Sequence, residues 1–105
     1  MNNKIAVLYT TVSNKKQAED LANLVLLNNL AVCANIMSNG KSIYLWHGKI
    51  EENEESYIIF KTTVNKLPLL KDFMIKNHPY EVPAILTFKA DSSEDFLNYV
   101  TNLVF

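Results

Sequence analysis

With 105 residues, the chain is long enough for one domain with a packed core and too short for two. Hydrophobic residues make up 49% and charged residues 20%, with a formal net charge of −1; this is globular composition without the basic excess by which a general nucleic-acid binder meets phosphate. A single cysteine excludes an internal disulfide, and glycines only at Gly40 and Gly48 exclude a glycine-rich phosphate loop of either common kind.

Taken in order, residues 4–12 (KIAVLYTTV) are a nearly continuous apolar run, the pattern of a central strand covered on at least one face. The run soon meets threonines and Ser13, with no secretory cleavage site, so a cytoplasmic protein is expected. Ser13 or Asn14 caps a helix, Gln17 standing three residues after Asn14 as in a capping box. Ala18, Leu21, Ala22 and Val25 recur at helical spacing, with Leu26, Leu27 and Leu30 widening the apolar stripe. Ala31 to Met37 is the second strand, interrupted by Ser38-Asn39-Gly40, which can bend or bulge it without ending the pairing.

Lys41 to Thr63 reads as one long hairpin about a tight His47-Gly48 turn. The return strand from Lys49 to Thr63 spans about 45–50 Å at roughly 3.3 Å per residue, against a radius of gyration of about 13 Å for a domain of this size. Either it projects and pairs with another copy of the chain, or it breaks near Asn53 and leaves Glu51 to Glu55 as a solvated loop. With unbroken pairing Cys33 lies roughly opposite Thr63; a bulge shifts this by one.

Asn65 is a cap for a second helix, Lys66 to Asn77, with Pro68 in its first turn and Leu67, Leu70, Phe73 and Met74 inward. That helix stops before His78-Pro79. Two prolines then flank Tyr80-Glu81-Val82, restricting a loop that can hold its side chains in place. Ala84 to Ala90 is the fourth strand, and Ser92 with Asp95 opens a last helix carrying Phe96, Leu97, Val100 and Leu103. The order β-α-β-β-α-β-α is α+β: a ferredoxin-like βαββαβ with an extra C-terminal helix and a long protruding hairpin, in one domain over 1–105. Both helices fall on one sheet face, so the last helix or oligomerisation must cover the other. No run is long enough to span a bilayer as a helix.

Together, VLYTT, LAVCANI, the SIYLWHGKIEE hairpin, FKTT and the HPYEVP loop resemble the CutA family of divalent-cation tolerance proteins over nearly the whole chain. The resemblance implies a homotrimer in which hairpins reach neighbouring subunits, with a cleft at each junction. It also implies a likeness to the trimers of the PII signalling proteins, which bind nucleotides in comparable clefts. It implies copper or another divalent cation as ligand, and no reaction; GxSxG and HExxH signatures are absent too. Some members have copper ligands assigned to a first-strand cysteine and a His-His pair. Here Tyr9 stands at the cysteine position and Asn77-His78 replaces the pair, so only His78 is kept. His47 occupies a turn position where glutamate or glutamine is common in the family.

The candidate cleft residues are Trp46, Lys61, His78, Tyr80 and Glu81, and the candidate metal ligands His78 and Cys33. Each has a structural alternative. His78 can end a helix, Tyr80 and Glu81 can fill a subunit junction, and Cys33 can be a small core residue. Lys61, on a central strand, calls for a partner such as Glu81 or a bound anion. Trp46 can anchor an interface. The acidic group Glu51, Glu52, Glu54 and Glu55 can hold a hard cation or simply blunt a strand edge. The expected assembly is therefore a homotrimer taking a divalent metal ion or small anionic ligand, with neither nucleic acid nor membrane as partner. The rivals are a PII-like anion or nucleotide sensor and an interaction module without a small ligand. Acid–base work by His78 and Glu81 is the weakest option.

Overall fold

The computed structural model describes residues 3–104; the expected domain also takes in residues 1, 2 and 105, which lie outside the described residues. The elements are β1 (Lys4–Val12), α1 (Lys15–Leu27), β2 (Cys33–Trp46), β3 (Lys49–Thr62), α2 (Leu67–Asn77), β4 (Ile85–Asp91) and α3 (Glu94–Leu103). One antiparallel sheet in the order β2-β3-β1-β4 puts the two most apolar strands, β1 and β3, in the centre. This is the ferredoxin-like arrangement.

Strand alternation divides the core between two faces. Leu8, Val12, Ile58 and Phe60 point to one side and pack against Ala18, Leu21, Ala22 and Val25 of α1 and Leu70 and Met74 of α2. Ile5 and Val7 point to the other, where Val100, Phe96 and Leu97 of α3 cover them. That cover is partial. On β4, Leu86 (57% exposed) and Phe88 (52%) stay open to solvent. They pair with Tyr9 and Val7 and so belong to the α3 face of the sheet.

The caps differ in detail from the sequence reading. Asn14 caps α1, accepting from the Gln17 N–H at 2.9 Å, while Gln17 Oε1 accepts from the Ser13 N–H rather than from the cap itself. Leu27 does not widen the buried stripe; it is 84% exposed, because α1 turns it away from the sheet. Asn65 does not cap α2: Thr63 Oγ1 accepts the Lys66 N–H at 3.1 Å, and Lys66 occupies the cap position, its side chain making no capping bond. Ser93, not Ser92, caps α3, its hydroxyl accepting from the Phe96 N–H.

The hairpin is continuous, not broken at Asn53. Pairing runs from Trp46↔Lys49 to Gly40↔Glu55, shifts by one residue between Met37 and Gly40, and resumes from Met37↔Tyr57 to Cys33↔Lys61. Carried on unbroken from Trp46↔Lys49, the pairing would set Cys33 opposite Thr62, one residue short of the expected Thr63; the bulge moves it one further, to Lys61. Both turn residues have positive φ, His47 at 50° and Gly48 at 77°, the backbone of a tight hairpin turn that matches strand twist. At about 3.3 Å per residue the 14-residue strands account for roughly 46 Å, close to the molecule's 47 Å long axis against 25 and 23 Å across.

β1 accompanies β3 only as far as Ser56. Beyond it, Gly40–Trp46 and Lys49–Glu55 form a two-stranded arm, and the bulge sits where the arm leaves the body. Here Asn39 adopts φ 62°, and the Tyr57 ring lies so close over Gly40 that a Cβ there would collide with it. The Tyr57 hydroxyl donates to the Lys41 carbonyl at 3.1 Å, tying the arm's root to the sheet.

Candidate functional site

The bend in the arm and the proline-bounded loop after α2 enclose a concavity of about 1030 Å³. Its floor is the end of β1, with Tyr9, Thr11 and Ser13; one wall is the arm, with Tyr44 and Trp46; the other is the loop, with Tyr80 and Glu81. The residues come together through period-two alternation. Ser42, Tyr44 and Trp46 lie on one side of β2, and Tyr9 and Thr11 on the matching side of β1.

A polar chain fixes the floor to both walls. The Ser13 hydroxyl donates to Tyr80 Oη at 3.2 Å, and the Tyr80 hydroxyl donates to Glu55 Oε2 at 2.6 Å. Burial and the Glu55 carboxylate push the Tyr80 phenol up to about 12, so it stays a donor at neutral pH. Tyr9 is also raised, by burial and then by Tyr57 and Glu55. Higher on the arm, Asn53 Nδ2 donates to Tyr44 Oη.

His78 lies under this floor, not in it. Its N–H bonds to the Met74 carbonyl at 2.9 Å and its backbone is extended, as required before Pro79. Nδ1 accepts the Tyr80 N–H at 3.0 Å. Nε2 faces the Thr11 carbonyl and Thr10 Oγ1, each at 2.9 Å. A carbonyl only accepts, so Nε2 carries the proton and the ring is neutral. Burial pulls the imidazole below its ordinary value, against smaller opposing effects of the Thr11 carbonyl and Glu55. Both nitrogens are engaged, so the expected ligand is instead a buttress that holds Tyr80, whose ring it meets edge-on at 4.9 Å.

Lys61 is likewise placed elsewhere. It shares the α3 face of the sheet with Tyr9, but its ammonium sits 5.6 Å over the Phe96 ring. It is not among the lining residues, and the pairing with Glu81 considered from the sequence gives way to this contact. Cys33 is half-buried beside Lys61, its thiol raised by burial with Lys61 partly opposing. A raised thiol is a poorer metal ligand. Among the described residues no three His, Cys, Asp or Glu side chains converge as a metal site would need, so the donor set of one chain does not fit a bound divalent cation.

Of the expected cleft residues, then, Trp46, Tyr80 and Glu81 meet and Lys61 and His78 do not. Tyr44, Glu55 and Ser13 join them unforeseen. The signal for Tyr44 was present in its i, i+2 spacing to Trp46. In the sequence Glu55 belongs to an acidic run that can hold a hard cation or blunt a strand edge, but the register turns it toward Tyr80.

Residues 6–103 match the family model of the CutA1 divalent ion tolerance protein. The chain is 33% identical over 97 residues to the chloroplastic CutA protein of Arabidopsis thaliana, covering 91% of this chain and 53% of that one. It is 36% identical over 87 residues to the human CutA protein, covering 83% and 49% respectively. The chain thus spans about half the length of these two relatives. The crystal structure of the divalent ion tolerance protein CutA1 from Ehrlichia chaffeensis superimposes with a TM-score of 0.93 at 34% identity, covering 100% of this chain and 99% of that one.

Proposed function

Since this chain belongs to the CutA1 divalent ion tolerance family, we propose that it acts in divalent-cation tolerance as a non-catalytic cytoplasmic homotrimer, holding a small ligand or metal ion where subunits meet. The observation that carries the reading is the arm. A two-stranded ribbon is marginal alone in water, yet this one exposes Leu45 at 76% and Ile50 at 73% on the side away from the concavity. Tyr44 and Trp46 face the concavity on the other. An element apolar on both sides is stable when both are covered. The open Leu86 and Phe88 on the body supply a matching surface for another copy.

No side-chain arrangement in the concavity provides a nucleophile with an adjacent base; the Ser13 hydroxyl donates to a phenol, not to a histidine. Since one chain lacks a metal donor set, any metal would require donors from more than one subunit. Native mass spectrometry of the protein titrated with copper(II) and zinc tests this. The reading expects three chains per particle and an integral metal or ligand count per chain. Trimers without stoichiometric uptake would remove the metal and leave the small-ligand reading; a monomer would defeat both.

A further inference from the structure

We infer that Tyr57 and Tyr80 together lock a hinge at the root of the arm, fixing the direction in which the arm is presented to another copy of the chain; this rests on the reading of the arm as an assembly element.

The hinge is built into the strands. β1 leaves β3 at Val12↔Ser56, and the β2–β3 register shifts between Met37 and Gly40. The sheet therefore narrows to two strands at the level where one of them is bulged. A bulge bends its strand and interrupts the ladder, and a ribbon of two strands has no third strand to resist the bend. Asn39, at φ 62°, marks the change of direction. Backbone pairing alone leaves the angle between arm and body soft.

Among the described residues, two side-chain hydrogen bonds cross from the body to the arm, one to each strand. The Tyr57 hydroxyl donates to the Lys41 carbonyl at 3.1 Å, on the arm's first strand. The Tyr80 hydroxyl donates to the Glu55 carboxylate at 2.6 Å, on its second. A tie to one strand leaves the ribbon free to pivot about that point; ties to both remove the pivot.

Each phenol is itself held. The Tyr57 ring stacks on Tyr9 of β1, the centroids 6.4 Å apart, and lies close over Gly40. Tyr80 is held at its backbone N–H by His78 Nδ1, at its ring by the same imidazole, and at its oxygen by Ser13. It stands between Pro79 and Pro83, whose fixed φ removes backbone freedom from the loop. The buried His78 thus serves the arm at one remove, by holding Tyr80.

The consequence is entropic. An arm that swings must be ordered when it docks, at a cost to association; an arm fixed during folding arrives already oriented.

Subunit exchange tests the lock. Unlabelled and isotope-labelled protein are mixed, and mixed particles are followed by native mass spectrometry for the wild type, Tyr57→Phe, Tyr80→Phe and the double variant, each change removing one oxygen. We expect the double variant to exchange about tenfold faster than the wild type, with each single variant between them. Hydrogen exchange of the same proteins separates a lock from a general loss of stability. Amides of residues 41–54 lose protection in the double variant, while those of residues 6–10 in β1 keep it. Subunit exchange at the wild-type rate in the double variant, or equal loss of protection in the arm and β1, would overturn the inference and leave the assembly reading standing. A wild type that forms no oligomer would defeat both.

Discussion

Protonating His78 would set two donors against each other, since Nδ1 now accepts from the Tyr80 N–H. The folded state therefore favours the neutral ring, and its pKa lies below the ordinary 6.5. A group whose folded pKa is depressed in this way contributes fully above the unfolded value and progressively less as pH falls below about 6.5. Urea midpoints are accordingly expected to drop between about pH 7.5 and 5.5, and to drop less in His78→Gln. Equal slopes in the two proteins would show that His78 does not carry the effect. Tyr80→Phe removes the bond to the Glu55 carboxylate and is expected to cost about 1–2 kcal/mol in urea unfolding. His47 works the other way. At φ 50° it occupies a region that asparagine tolerates better, and His47→Asn is expected to raise stability by up to about 1 kcal/mol.

Among the elements, the hairpin shows what was legible in the sequence and what was not. β-branched and aromatic residues from Ser42 to Trp46 identify the outgoing strand and its turn at His47-Gly48, the acidic run Glu51 to Glu55 leaves a break near Asn53 open until the pairing is seen, and the apolar runs identify β1 and β3 as central. The fold follows from these with little ambiguity. Register does not, because Ser38-Asn39-Gly40 allows the bulge but does not say which residue is skipped. The one-residue shift sets Cys33 opposite Lys61, and the partner of Lys61 is a separate matter: its ammonium lies over Phe96 of α3, a contact that depends on how the last helix packs and that strand patterning does not give. The place of His78 is likewise set by tertiary contacts rather than by local pattern. A histidine beside a rigid loop looks like a ligand until its two ring nitrogens are traced to Tyr80 and Thr11, and those contacts are tertiary. At the bulge, Gly40→Ala is expected to force the Tyr57 ring aside at a cost of about 1–3 kcal/mol. Tyr57→Leu in the same chain should recover part of that loss, read by thermal unfolding. Full additivity of the two changes would mean that the ring and the glycine are not coupled.

At the scale of the whole molecule, the central claim is that the arm exists for assembly. A body about 25 Å across supports a ribbon that sets its 47 Å length, and the exposed Ile43, Leu45 and Ile50 have nothing to cover them within one chain. Each fully buried aliphatic side chain is worth roughly 1.5–3 kcal/mol, so covering this tip offers a substantial driving force for association. Sedimentation equilibrium of the wild type beside Leu45→Glu/Ile50→Glu tests the claim most directly, because both positions are exposed within the chain and tolerate charge in a monomer. The account predicts three times the chain mass for the wild type and a folded species of single-chain mass for the variant. A wild type that sediments as one folded chain, or a variant that still assembles, would contradict it.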